Sequence, residues 1–397
     1  MKRRLAGAPV AALLLGLAAH AGAAEPAAGA DATRATMGRI VDSMAFVLPL
    51  ATSDDRFADP AQHKAIQAAL EALAAEGAKV EGHGRGRDPG FGFLARSLAR
   101  DTREIRDRFA AGRRDEARFL LLELSDHCAA CHSRLPDARE HPVGRRLVDD
   151  PRVAALAPDE RVNLEVATRQ FDRALAGYEA LFADPARPPA DLDLEGQVDG
   201  YLEVVVRVQN DPERALRTFS ALAQRKDLPP ALRENVAAWI ASLRALRGRS
   251  FPGAPLAEAR ALVAEAQDVS RHPDDRSALV LYLAASGILH RFSAGEPSRA
   301  ELAEACYLLG VIESRVGRSF WLSQTEFFLE QAIRLAPQKP FANDAYELLE
   351  EFLISGYGGM QASELPPEPR ARLDELRGLI RRAQGGAETA PAGPLKL

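Results

Sequence analysis

Residues 115–132 read DEARFLLLELSDHCAACH. Leu121, Leu124, Cys128 and Cys131 recur at spacings of 3, 4 and 3, the period that gathers apolar side chains on one side of an α-helix. Cys128, Cys131 and His132 stand at i, i+3 and i+4, so on that helix they point the same way. The stretch predicts a helix whose apolar stripe ends in two thiols and an imidazole.

Three more amphipathic segments precede it. Residues 32–51 carry Met37, Ile40, Met44 and Val47 on one stripe; residues 59–80 carry Ile66, Leu70 and Leu73; residues 91–112 carry Leu94, Leu98, Ile105 and Phe109. Short breaks separate them: TSDDRFADP, EGHGRGRDPG and AGRRD. The break around Gly84 and Gly86 lacks the Gly-Lys-Ser/Thr ending and the preceding strand of a phosphate loop, and reads as a turn. Four helices over residues 31–135, with the cysteines late in the fourth, predict an antiparallel four-helix bundle.

C-x-x-C-H is the attachment pattern of c-type haem. Two thioethers can grip one porphyrin while the adjacent imidazole reaches its iron. A dithiol redox site needs no His and wants a βαβ context; a zinc site needs a fourth ligand, usually from a second Cys/His pair. Neither context is visible in the sequence. The expectation is one covalent haem c on Cys128 and Cys131, with His132 as the proximal iron ligand.

The first residues agree with that chemistry. MKRR is a positive start, LAGAPVAALLLGLAA an apolar core shorter than the ~20 residues that span a bilayer, and Ala21-Gly22-Ala23 a cleavage site. Residues 1–24 read as a signal peptide, which points to an exported, periplasmic protein. Its removal takes Lys2, Arg3 and Arg4 with it and moves the formal charge from −5 to −8. That acidic balance gives no reason to expect nucleic acid. No later stretch is apolar enough to span a membrane. The third cysteine of the chain, Cys306, lies on a helical apolar face in ELAEACYLLGVIE and reads as a buried small hydrophobe.

Export signal, four helices and C-x-x-C-H near the end of the fourth resemble the class II cytochromes c, meaning cytochrome c′ and its low-spin relatives, over residues 31–135. The resemblance implies an electron carrier, often a homodimer, whose sixth iron position faces the first helix. Low-spin members supply a Met there and high-spin members an apolar residue. Met37 stands where the low-spin members tend to place the ligand; Met44, two turns on, is a weaker distal candidate. His63, His83 and His127 are lesser ones, and His127, like His141, is expected to be exposed. The next Met after His132 is Met360, too far for the small cytochromes whose Met follows the motif. The family often continues the motif with an aromatic and an Arg; here SRLPD follows, so Arg134 alone offers a cation near a haem edge.

Residues 136–159, rich in Pro and charge, read as a linker. From 160 to 383 helices come in pairs. ACYLLGVIE, FFLEQAIRLAP and PFANDAYELLEEFL resemble a tetratricopeptide unit, with Leu309-Gly310, Ala332 and Pro337 at its marker positions. Each pair has one apolar face that only a neighbour can cover, which predicts a TPR-like α-solenoid. Residues 384–397 read as a disordered tail. No catalytic set appears, and His272 and His290 read as ordinary surface or cap residues. The fold class is all-α. The function read from the sequence is an exported monohaem electron carrier, not an enzyme, whose repeats dock an unidentified redox partner protein. The alternatives are an open five-coordinate haem that binds or senses NO or CO, and a haem-free scaffold.

Overall fold

The computed structural model describes residues 26–83, 89–134, 142–194, 196–249, 253–317, 324–357 and 365–385. The expected signal peptide, His141, Met360 and most of the expected tail lie outside these residues. Every regular element among them is helical, so the chain is all-α.

The first unit contains α1 (Pro26–Ala51), α2 (Asp54–Ala58), α3 (His63–His83), α4 (Pro89–Ala110) and α5 (Arg114–His132). α1 packs on α3, α3 on α4 and α4 on α5. α5 returns to α1, where Arg118 Nε donates to the Ala51 carbonyl at 2.5 Å and Arg118 pairs with Asp54 at 2.7 Å. The stripes read from the sequence meet inside. Val47, Ile66, Leu70, Leu73, Ile105, Phe109 and Leu121 are fully buried, and Ile40, Met44, Leu94 and Leu124 nearly so. Each such side chain contributes about 1.5–3 kcal/mol by leaving water.

Two stretches read as connections carry structure. The first break holds α2, capped by Ser53, whose Phe57 sits edge-on to Phe109 with ring centres 5.4 Å apart. The expected linker holds α6 (Pro142–Val148) and α7 (Pro151–Ala154). Leu147 and Val153 from these helices enter the bundle core. Asp150 explains the second start: its carboxylate accepts from Arg152 N–H, and Pro151 occupies the first helical position, where no donor is needed.

The second unit runs through α8 (Pro158–Ala167), α9 (Phe171–Ala183), α10 (Pro189–Leu194), α11 (Gln197–Leu202), α12 (Pro212–Leu222), α13 (Pro230–Arg247), α14 (Pro255–Val269), α15 (Leu279–Ser293), α16 (Arg299–Val316), α17 (Gln324–Leu335), α18 (Phe341–Gly356) and α19 (Pro367–Ala383). Helices adjacent in sequence pack together: α8 on α9, α12 on α13, α14 on α15, α16 on α17, α17 on α18 and α18 on α19. They share one continuous core. Gly310 brings α16 close to α17, since a Cβ there would stand 2.5 Å from Leu329 Cδ2. Between α11 and α12 the helix widens into a π-turn, Glu203–Val208, with Gln209 N–H donating to the Val204 carbonyl five residues back.

The units pack against each other at the far end of α5. Ala129 touches the second core, α5 packs on α8, and Phe93 of α4 stacks on Phe327 of α17 with ring centres 4.7 Å apart. No helix among the described residues is long and apolar enough to cross a membrane.

Candidate functional site

Cys128, Cys131 and His132 occupy the last turn and a half of α5, and all three are half-buried. Cys131 and Met37 both pack on the bundle core. Burial, then the neighbouring Cys131 and Asp126, push the Cys128 thiol up to about 12. A redox or metal-binding cysteine is activated in the opposite direction, towards thiolate. Burial therefore acts on Cys128 against the thiolate form.

His132 is oriented by the second unit. Its Nδ1 lies 2.6 Å from the Ala167 carbonyl at the end of α8. The last carbonyls of a helix have no partner inside it. In α8 three of them are taken locally: Leu164 by Thr168 N–H, Val166 by Arg169 N–H and Glu165 by Gln170 N–H. The fourth, Ala167, takes the imidazole. The tautomer that donates Nδ1–H carries its lone pair on Nε2.

The register of α1 against α5 separates the methionines. Arg118, near the start of α5, meets Ala51 at the end of α1, and Arg146 of α6, just after α5, reaches Asp42 further back along α1, so the two helices run antiparallel. Fourteen residues along α5 and fourteen back along α1 bring His132 level with Met37. Met37 is half-buried there. Met44, 4% exposed, is level with the middle of α5 and fills the core. His63 stacks on Phe109 with ring centres 5.0 Å apart, at the opposite end of the bundle from the cysteines. His83 ends α3 at the cysteine end; its side chain lies outside the described residues.

His127 is not exposed as expected. It is 7% exposed, and its Nε2 lies 2.6 Å from Asp101 Oδ2 of α4. Burial raises the Asp101 carboxyl, but His127 and Arg100 outweigh it and hold the group below its usual value. Position 127 neighbours Cys128 in sequence but faces α4, because one residue along a helix turns 100°.

Arg134 points elsewhere as well. One nitrogen donates to the Ala130 carbonyl at 2.8 Å, and Nη2 forks onto Glu313 of α16 at 2.9 and 3.1 Å. Glu313 is 3% exposed. Arg134 thus ties the end of the cysteine helix to a helix 179 residues away. His290, read as a surface or cap residue, has its Nε2 buried. Burial, then Arg134, Arg207 and Arg291, lower its pKa well below the ordinary imidazole value.

The residues present suit a covalent haem. Two cysteines and a histidine share a half-buried helix end, a backbone acceptor orients the histidine, and a methionine stands level with it on the facing helix. Sequence reasoning missed the Ala167 carbonyl, Glu313 and Asp101. A backbone acceptor leaves no residue signature, and a single Glu among many in amphipathic helices does not announce a distant Arg. No family model, curated protein or solved structure matches this chain.

Proposed function

We propose that the chain is a monohaem c-type cytochrome that carries electrons for a protein partner. The observation that supports this most is the placement of Cys128, Cys131 and His132 on one helix end, with His132 Nδ1 held on the Ala167 carbonyl. Bound haem would supply a one-electron ferric/ferrous iron couple. Cys128 and Cys131 would hold the porphyrin as thioethers, and His132 Nε2 would be the proximal iron donor. The Ala167 carbonyl fixes the imidazole orientation and strengthens it as a ligand. Met37 is the distal donor in this reading, and Met44 shapes the apolar wall. The chain is exported to the periplasm, and α8–α19 form a degenerate TPR-like solenoid that docks the redox partner.

The pyridine haemochrome spectrum of the purified full-length protein tests the reading, with one covalent c-type haem per chain expected. A preparation from a haem-c-maturing host without that band refutes it. Carbon monoxide then tests the distal ligand. The reduced protein should resist CO, and Met37→Ala should admit it. An unchanged low-spin spectrum in Met37→Ala rules that ligand out, and rapid CO binding by the unaltered protein points to open iron.

A further inference from the structure

Behind the cysteine helix, where the two units meet, lies a buried group of donors. Arg207, from the π-turn, is 2% exposed, yet none of its three guanidinium nitrogens has a hydrogen-bond acceptor from the protein. Its nearest carboxylates are Glu203 at 3.5 Å and Glu313 at 3.9 Å. Glu313 is already engaged by both oxygens with Arg134, and the Glu203 side chain is 30% exposed. Arg134 Nε is buried without an acceptor too.

α15 brings further polar groups. Ser286, His290 and Ser293 follow at i, i+4 and i+7, one stripe of a largely buried helix. Ser286 Oγ, His290 Nε2 and Ser293 Oγ are buried and lack protein partners. Gly287, on the neighbouring face of α15, lets the helix lie directly on the π-turn: a Cβ there would stand 2.6 Å from the Arg207 carbonyl oxygen. α15 packs on the π-turn, and Arg207 and Arg134 meet at Glu313, so both arginines lie in the neighbourhood of α15.

The imbalance has a direction. Guanidinium groups only donate, so what the neighbourhood lacks is acceptors. A desolvated cation without a full partner is costly, and a planar guanidinium fork matches the oxygens of a carboxylate or phosphate. The π-turn itself costs regular helix geometry, and such turns recur at functional sites.

We propose that Arg207, with Arg134 and the α15 stripe, forms a binding site for a small oxyanion of the carboxylate or phosphate type. None of its residues is among the iron or thioether ligands of the haem reading. The anion takes the acceptor positions that Glu313 leaves open and completes the seam between the two units.

Isothermal titration of the full-length protein at constant ionic strength tests this, with acetate in one arm and inorganic phosphate in the other. Saturable binding of at least one anion is expected, and the better arm identifies the class. Arg207→Met should weaken it by about tenfold or more, the worth of a charge-assisted hydrogen bond. Arg207→Lys, which keeps the charge but loses the fork, should bind more weakly than the unaltered protein. Arg377→Met, a change on α19, which packs on α17 and α18, should bind normally. No saturable heat with either anion in the unaltered protein overturns the proposal, and so does an unchanged Kd in Arg207→Met. If Arg207→Met fails to fold, an unchanged Kd in Arg207→Lys has the same force.

Discussion

Glu313→Gln isolates the contact that ties the cysteine helix to α16. Side-chain exposure is 3% for Glu313 and 10% for Arg134, and two hydrogen bonds join them. Removing one partner of a buried pair costs about 3–5 kcal/mol, because the other charge stays desolvated. Gln keeps the shape and one acceptor, so the low end, about 3 kcal/mol, is expected. The same change at Glu304 provides the scale. Glu304 lies on the same helix and pairs with Arg260, but with 24% and 56% exposure. An exposed pair contributes at most about 1 kcal/mol. Urea unfolding measures both, as a midpoint shift at constant slope. A Glu313→Gln loss no larger than that of Glu304→Gln refutes the claim that the seam is a buried electrostatic lock. At the oxyanion site, Glu313→Gln should also bind acetate or phosphate more tightly, because a competing carboxylate is gone.

Three further outcomes follow from local geometry. Met44→Ala should cost about 2–5 kcal/mol by leaving a cavity in the core and leave any haem spectrum unaltered, whereas Met37→Ala should change the spectrum. Gly310→Ala should destabilise by about 1–3 kcal/mol, since its methyl would press on Leu329 at 2.5 Å; thermal unfolding reads this directly. Burial alone would raise the Asp275 carboxyl, but hydrogen bonds from Arg271 and Ser277 outweigh it and hold the group far below the ordinary range. Its stabilising contribution is complete above the unfolded value of about 4 and drains as pH falls below that towards the folded value. Stability measured against pH should therefore lose part of its acid-side slope in Asp275→Asn.

The bundle was legible because its helices are amphipathic. Ile66, Leu70 and Leu73, or Leu121 and Leu124, announce a buried face by spacing alone, and the structure buries them. The alignment of Cys128, Cys131 and His132 follows from the same periodicity. Composition misled where short helices hide among prolines and charges: Leu147 and Val153 are core residues inside a stretch that reads as linker. Arg134, His127 and Arg207 were illegible for another reason. Each side chain is defined by a partner on a different helix, and pairing across tens or hundreds of residues leaves no period to read. The π-turn was equally silent, since EVVVRV reads like ordinary helix and only the five-residue hydrogen bond to Val204 reveals it.

The bond from His132 to Ala167 bears on where the chain can be cut. Residues 31–135 look like a self-sufficient module, yet the acceptor that orients the module's key imidazole is supplied from beyond its end. Glu313 and Phe327 brace the same corner from beyond that end, and Leu147 and Val153 complete the bundle core from beyond it too. A gene fragment stopped after the cysteine motif would encode Cys128, Cys131 and His132 without the scaffold that holds them. Grafting the motif into another bundle would need a replacement carbonyl at the same height, and shuffling the halves between relatives would need both sides of the seam to travel together.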